Sequence, residues 1–310
     1  MSQKQQLVQR LQALARKNRN TIIDMIYTAK AGHPGGSLSA IDLMTYLYET
    51  DIDLTATERS RFVMSKGHAV PALYAILYDK GMIKKEELGT FRTINSRLQG
   101  HTHVVDLPET DASTGLLGQG LSIGVGMALG KRAKGSQKNV YVMVGDGELH
   151  EGQNWEALME GAQYHLSQLV LIIDHNNLSS KAPIPQVMNI EPLAEKLRAF
   201  NWHVEEIDGH DFYEIIDCFE RLACIGDRPK CIISHTVKGK GVSFMENNPK
   251  WHSSALTDEE YKTAKAELGV TESWNSMNTP LAGILSARHW LSWRGKTAAL
   301  QWWMQILPPA

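Results

Sequence analysis

Cysteine is scarce in this chain. The three present in 310 residues, Cys218, Cys224 and Cys231, are odd in number and lie in one region, which argues against a disulfide framework and for a reducing compartment. No apolar run reaches the roughly 18 residues needed to span a bilayer, so no membrane is expected. A basic excess is missing too: 32 Lys and Arg stand against 34 Asp and Glu, which leaves no electrostatic footprint for nucleic acid. Residues 1–20 are polar and rich in Gln, Lys and Arg, and lack the apolar centre of a secretory signal. Cytoplasmic is therefore the expected location. What remains is an ordinary globular composition, 43% apolar and 21% charged, long enough for one large α/β domain or two small ones.

The most informative stretch is residues 140–178. Two short, β-branched apolar runs (140–144 and 169–173) flank a segment in which Trp155, Leu158, Met159 and Ala162 recur at helical spacing, which predicts a β-α-β unit. A right-handed crossover of this kind brings the carboxyl ends of two parallel strands to one edge of the sheet. Gly145-Asp146-Gly147 follows the first strand and Asn176-Asn177 the second, so Asp146 and Asn176 are expected to be neighbours. A carboxylate and an amide oxygen are hard ligands suited to magnesium or calcium completed by phosphate oxygens. A helix beginning just after Gly147 offers free N–H groups to an anion, and the glycines let a phosphate approach. The unit predicts a metal-diphosphate site.

Around it, residues 7–27 read as one or two amphipathic helices. They lead into the loop Lys30-Ala-Gly-His33-Pro-Gly-Gly36, after which Ser37 or Ser39 is expected to cap a helix with Ile41, Met44, Tyr46 and Leu47 on its core face. Residues 61–64 form a short strand ending in Ser65-Lys66-Gly67-His68, with Pro71 in the first turn of the next helix. His68 thus falls at a strand's carboxyl end, where open parallel sheets bind ligands. His101-x-His103 has no Cys or carboxylate beside it at ligand spacing, which argues against zinc. Gly118-x-Gly120 is not a dinucleotide fingerprint, because no strand precedes it; Gly120, Gly124 and Ala128 fall four apart on a helix face instead. Residues 131–138 read as a charged turn and 178–185 as a loop. The order helix 192–200, strand 202–207, helix 212–224 and strand 230–234 continues a parallel sheet. Lys238-Gly-Lys-Gly241 lacks Walker spacing and is expected to be no more than a loop near the ligand edge, and residues 259–268 read as an exposed helix. The expected fold class is α/β, three-layer, with a mostly parallel sheet and helices on both faces.

Gly145-Asp146-Gly147 and, some thirty residues on, Asn176-Asn177 resemble the thiamine diphosphate-binding fingerprint. Three further stretches, Ala31-Gly-His-Pro-Gly-Gly36, Met64-Ser-Lys-Gly-His-Ala-Val70 and Ser113-Thr-Gly-Leu-Leu-Gly-Gln-Gly120, resemble the amino-terminal domain of transketolase, and the likeness extends over roughly residues 1–268. The resemblance implies that Asp146, Asn176 and the Leu178 carbonyl bind Mg2+, for which Ca2+ or Mn2+ can substitute. It implies that Gly145, Gly147, Glu148, His68, Gly115, Leu116 and Leu117 lie along thiamine diphosphate. His252 would reach both diphosphate and substrate. His33 and His101 would line the sugar channel and help proton transfer, for which imidazoles near neutral pKa are suited. Glu151 and Glu156 would belong to a proton-linked network between paired active sites. The implied chemistry is transfer of a two-carbon unit from a ketose to an aldose, with the carbanion supplied by thiamine.

Members of that family also carry a pyrimidine-binding half that supplies an activating glutamate and sugar-phosphate arginines, and no second sheet-forming half is legible here. The expectation is therefore the diphosphate-binding subunit of a split transketolase. Alone it would be inactive; with a carboxyl-terminal partner subunit it would form a dimer of heterodimers acting on sugar phosphates. Two alternatives stand beside it: a subunit of a deoxyxylulose-phosphate synthase-like enzyme, and a non-catalytic thiamine-fold binding protein. Residues 269–310 hold five of the eight tryptophans without a strand-helix rhythm, and read as an atypical, poorly ordered or partner-docking tail.

Overall fold

A computed structural model describes residues 2–269. The tail predicted at 269–310 lies, from residue 270 on, outside the described residues. Five strands make one parallel sheet in the order β1-β2-β3-β5-β4. They are β1 Arg61–Met64, β2 Val140–Gly145, β3 Leu169–His175, β4 His203–Asp208 and β5 Lys230–His235. Helices α1 Gln3–Ala29 and α2 Pro34–Thr50 precede β1. Between β1 and β2 come α3 Val70–Asp79, the one-turn α4 Lys85–Leu88 and α5 Gly120–Ala133. Next are α6 Gly152–Gln163 before β3, α7 Ile184–Val187 and α8 Leu193–Ala199 before β4, α9 Phe212–Leu222 before β5, and α10 Asp258–Glu267 after it.

The central strands are buried on both sides, which is why they read as unbroken apolar runs. Val142, Val144, Leu171, Ile173 and Ile233 face a core closed by Leu121 and Val125 of α5, Leu158 of α6 and Leu197 of α8. On the other face Phe62 meets Tyr48 of α2, and Tyr141 meets Phe219 of α9. The three-layer arrangement expected from the sequence is thus present. Parallel pairing sends the carboxyl ends of all five strands to one edge, and the pairing of Gly145 with Asp174 places Asp146 beside the β3 terminus.

The amino-terminal pattern, expected as one or two helices, is one, in which Asn18, Arg19 and Asp24 are buried among other elements. Several other local expectations are corrected. The Pro34-Gly-Gly36 cluster is the first turn of α2 rather than a loop before it, because proline tolerates the first helical position; Ser37 does not cap the helix but donates to the His33 carbonyl. Lys131 and Arg132 belong to α5, whose last turn favours cations. Beyond Gly147 a 3-10 turn, Gly147–His150, comes before the α-helix. Met159 is 54% exposed and lies off the core face of α6. Helix α10 is not an exposed helix: Tyr261 stacks on Tyr27 at 3.9 Å, and Lys265 pairs with buried Asp24. Among the described residues no helix is long and apolar enough to cross a membrane.

The small-residue face of α5 is a packing requirement. A Cβ at Gly124 would lie 2.3 Å from Val142 Cγ2, whereas one at Gly130 would meet nothing within 4 Å. Gly124→Ala is expected to destabilise by about 1–3 kcal/mol through overpacking, and Gly130→Ala to stabilise by up to about 1 kcal/mol through helix propensity. Urea unfolding of the two variants checks this; equal midpoints would remove the packing argument.

Candidate functional site

The chain returns to the carboxyl edge of the sheet after each strand, and once before β1, and leaves a cluster of polar groups there. The first is His33, which ends the α1–α2 connection. Its Nδ1 is buried and has no hydrogen-bond partner among the described residues. His68 follows β1 and His252 follows β5, and the three rings pack with centroids 5.1–5.4 Å apart. Pro34-Gly35-Gly36 permits this approach. A Cβ at Gly35 would lie 2.8 Å from the Trp251 carbonyl, and one at Gly36 would lie 3.5 Å from Lys66 Nζ and 3.7 Å from His68 Nε2.

Beside the histidines stand two buried lysines. Lys66 pairs with Asp174 at the end of β3, and both side chains are almost fully enclosed. Asp174 also accepts from Ser39 Oγ (2.6 Å), Thr236 Oγ1 (2.5 Å) and Asn176 Nδ2 (3.2 Å), so every side of the carboxylate is engaged. Burial alone would push its pKa up; Lys66 holds it below the ordinary value. Holding Nδ2 of Asn176 fixes the amide so that its Oδ1 is the free acceptor type, receiving the Leu178 N–H at 3.1 Å. The second lysine, Lys238, donates to the carbonyls of Leu178 (3.0 Å) and Ser179 (2.9 Å) and to His252 Nδ1 (3.1 Å). Burial lowers its pKa to about 8.

Asp146 accepts the N–H groups of Gly147 (2.7 Å) and Asn177 (2.5 Å). Burial and the nearby Asp174 charge still raise its pKa to about 7. These residues fit a hard divalent cation: one carboxylate, one amide oxygen and one carbonyl, with the Lys238 ammonium already resting on the Leu178 carbonyl. Among the described residues no group of three His, Cys, Asp or Glu could hold a metal by itself, so the remaining ligand oxygens must come from a bound phosphate or water.

A pH dependence follows. Because the Asp146 carboxyl titrates near 7, a cation must displace its proton below that pH. Cation affinity is expected to fall about tenfold per unit as pH drops below 7 and to level off above it. Calorimetric titration with Mg2+ and diphosphate between about pH 5.5 and about pH 8.5 measures it, and a flat profile would refute the assignment.

The histidines are not poised near neutrality, as the sequence led us to expect. Burial, with Arg92, His101 and Lys238 around it, lowers His33 to about 4; burial and Lys238 lower His252 to about 3; burial and Lys66 lower His68 strongly. In this state they are neutral hydrogen-bonding groups, and a bound anion would move them back toward protonation.

The other expected site residues are placed as follows. His101 is exposed and lies against Gly115, whose hypothetical Cβ would be 3.1 Å from its Cγ. Leu116 is 81% exposed and Leu117 37%, beside Gly118. Gly145 and Gly147 flank Asp146. Glu148, expected along the cofactor, is buried and acts as a strut. Its buried carboxylate accepts from Ser65 Oγ (2.5 Å), Gly118 N (2.9 Å) and Gly145 N (3.2 Å), tying three site loops together. Glu151 and Glu156 are exposed, and Glu151 backs Gly118. Sequence reasoning missed Lys66, Asp174, Ser39 and Lys238. The signal available was a lysine within three residues of a strand end, twice, each next to glycine.

Comparisons with known proteins agree with this geometry. The family described as "Transketolase, thiamine diphosphate binding domain" matches residues 10–305. An apulose-4-phosphate transketolase subunit of Phocaeicola vulgatus is 41% identical over 266 residues, covering 84% of this chain and 94% of that protein. The 6-deoxy-6-sulfo-D-fructose transketolase subunit SqwG of a Clostridium species is 38% identical over 263 residues, covering 83% and 96%. The crystal structure of Campylobacter jejuni transketolase superimposes with a TM-score of 0.81 at 30% identity, covering 98% of this chain but 51% of that one. The chain thus spans about half the length of that transketolase.

Proposed function

Since the chain belongs to the transketolase family through its thiamine diphosphate-binding domain, we propose that it is the diphosphate-binding subunit of a two-chain transketolase that moves a two-carbon ketol unit between sugar phosphates. One observation carries the reading. A hard-oxygen set (Asp146, Asn176, Leu178), a buried lysine (Lys238) and three packed histidines, one with an unpartnered buried nitrogen, converge at a single sheet edge. Bound thiamine diphosphate supplies the carbanion chemistry. This chain would hold and orient: Asp146, Asn176 and the Leu178 carbonyl would take the divalent cation, Lys238 would neutralise the diphosphate, His68 and His252 would hydrogen-bond it, and the absence of a side chain at Gly147 would let it approach. Gly115 to Leu117 would line the cofactor. His33 and His101 hydrogen-bond sugar hydroxyls, and His33, neutral and with Nδ1 free, is placed to exchange a proton with one. Glu151 and Glu156, exposed on and before α6, are available to a second copy. The activating pyrimidine-side groups come from a partner subunit, and the assembly is a dimer of heterodimers in the cytoplasm. Relatives of nearly this chain's length that are themselves named as transketolase subunits support the split arrangement.

Mixing this chain with a carboxyl-terminal transketolase subunit, thiamine diphosphate and Mg2+ is expected to produce ketol transfer in a coupled aldose-release assay, and either chain alone to be silent. Turnover by the isolated chain would overturn the two-chain reading.

A further inference from the structure

At the opposite, amino-terminal edge of the sheet lies a cavity that the proposed reaction does not use. Lys230 opens β5 in register with Val170 of β3, which is itself in register with Tyr141 of β2. Paired residues in a sheet share a face and alternate with their chain neighbours. Cys231 and Ile233 face the α5, α6 and α8 side, so Lys230 points the other way, with Tyr141 and Val170. These three, with Tyr46, Gln168 and Phe219, line a cavity of about 450 Å³ between the sheet, α2 and α9. Phe219 stacks on Tyr46 at 4.7 Å and meets Tyr141 edge-on at 6.1 Å, giving the cavity an aromatic wall.

Lys230 is 7% exposed, yet its ammonium has no hydrogen-bond or ion-pair partner among the described residues. The other buried lysines differ: Lys66 pairs with Asp174, Lys265 with Asp24, and Lys238 rests on two carbonyls. Burial lowers the Lys230 pKa, the cost of a charge without a counter-charge. The Lys230 stem packs between the sheet and the helices, and its head opens onto the cavity instead of meeting a protein acceptor among the described residues. Asp51 also lines the cavity, its carboxylate accepting from Tyr141 Oη at 2.7 Å and making no ion pair with Lys230; it repels any anion, so the site takes at most a single negative charge, held at the lysine.

We infer that this cavity is a binding site for a small monocarboxylate with an apolar or aromatic body, its carboxylate on Lys230 Nζ and its body against Phe219 and Tyr46. A single negative charge answers the lone ammonium, and the aromatic wall takes the remainder. The inference is independent of the proposed reaction.

The test is titration of the full chain with benzoate, followed by the amide resonances of Lys230, Tyr141 and Phe219. Saturable shifts are expected, with binding weaker by about tenfold or more for neutral benzamide and for Lys230→Met, while Lys230→Arg retains it. Equal binding of benzoate and benzamide, binding untouched by Lys230→Met, or no shift up to about 10 mM would overturn the site. If Lys230→Met fails to fold, the benzoate and benzamide comparison on the parent chain decides alone.

Discussion

Asp146→Asn is expected to abolish metal-dependent binding of thiamine diphosphate while leaving the ligand-free fold at least as stable as the parent. The carboxylate is the charged member of the oxygen set, and its loss removes the main attraction for a divalent cation. Even supporting residues of metal sites are worth about 10–100-fold in affinity, so a directly ligating carboxylate is expected to cost at least about a hundredfold. The stability readout separates this from a folding defect. Asp146 is buried beside Asp174, and its folded pKa of about 7 lies above the ordinary carboxyl value. The ionised form therefore destabilises the fold by an amount that is absent below the unfolded pKa and grows as pH rises to about 7. Asparagine escapes that cost, so its advantage of roughly 1–3 kcal/mol should appear at about pH 8 and vanish toward about pH 4. Calorimetric titration and thermal unfolding measure the two halves. Unchanged cation-dependent binding, or loss of binding together with a melting temperature lowered at the alkaline end, would count against the assignment.

Lys66→Met is expected to have the largest effect on stability. It leaves Asp174 with its hydrogen bonds to Ser39, Thr236 and Asn176 but without a counter-charge, in a place closed to water. Removing one partner of a buried ion pair costs about 3–5 kcal/mol, which for a domain of this size lowers the melting temperature by about 10 °C. With Lys66 gone, burial raises the Asp174 pKa. The deficit is then full at high pH and shrinks as pH falls and the carboxyl takes up its proton. Lys66→Met combined with Asp174→Asn should recover much of the loss, because neither charge is then stranded. A single variant as stable as the parent, or a double variant no better than the single, would show that the pair does not hold this edge together.

Much of the site was legible before the fold was known. Asp146 and Asn176 were placed together because each follows a strand of one β-α-β unit, and that geometry is local. His68 was marked by its position at a strand end. The reading was weaker wherever burial decides the chemistry. Pro34-Gly-Gly36 looks like a loop in sequence and is a helix start, because proline suits both. Residues 259–268 look solvated, yet Tyr261 and Lys265 are drawn inward by Asp24, more than 230 residues earlier in the chain. The role of Glu148 as a strut is not legible in the sequence, because its partners Ser65 and Gly118 come from other crossovers.

Residue order by itself determined the parallel α/β class, the sheet edge at which the candidate site residues gather and the family motifs, since strand and helix periodicity and strand-end loops are short-range properties of the chain. Only the tertiary structure decided which charges face each other. Lys66 meets Asp174 across 108 residues and Ser39 meets it across 135, Lys238 reaches the Leu178 carbonyl, and Lys230 is left without a partner among the described residues. Desolvation and Coulomb interaction depend on what packs around a group, and distant segments supply that packing. The same enclosure explains why the histidines of the site are neutral and why Asp146 titrates near 7.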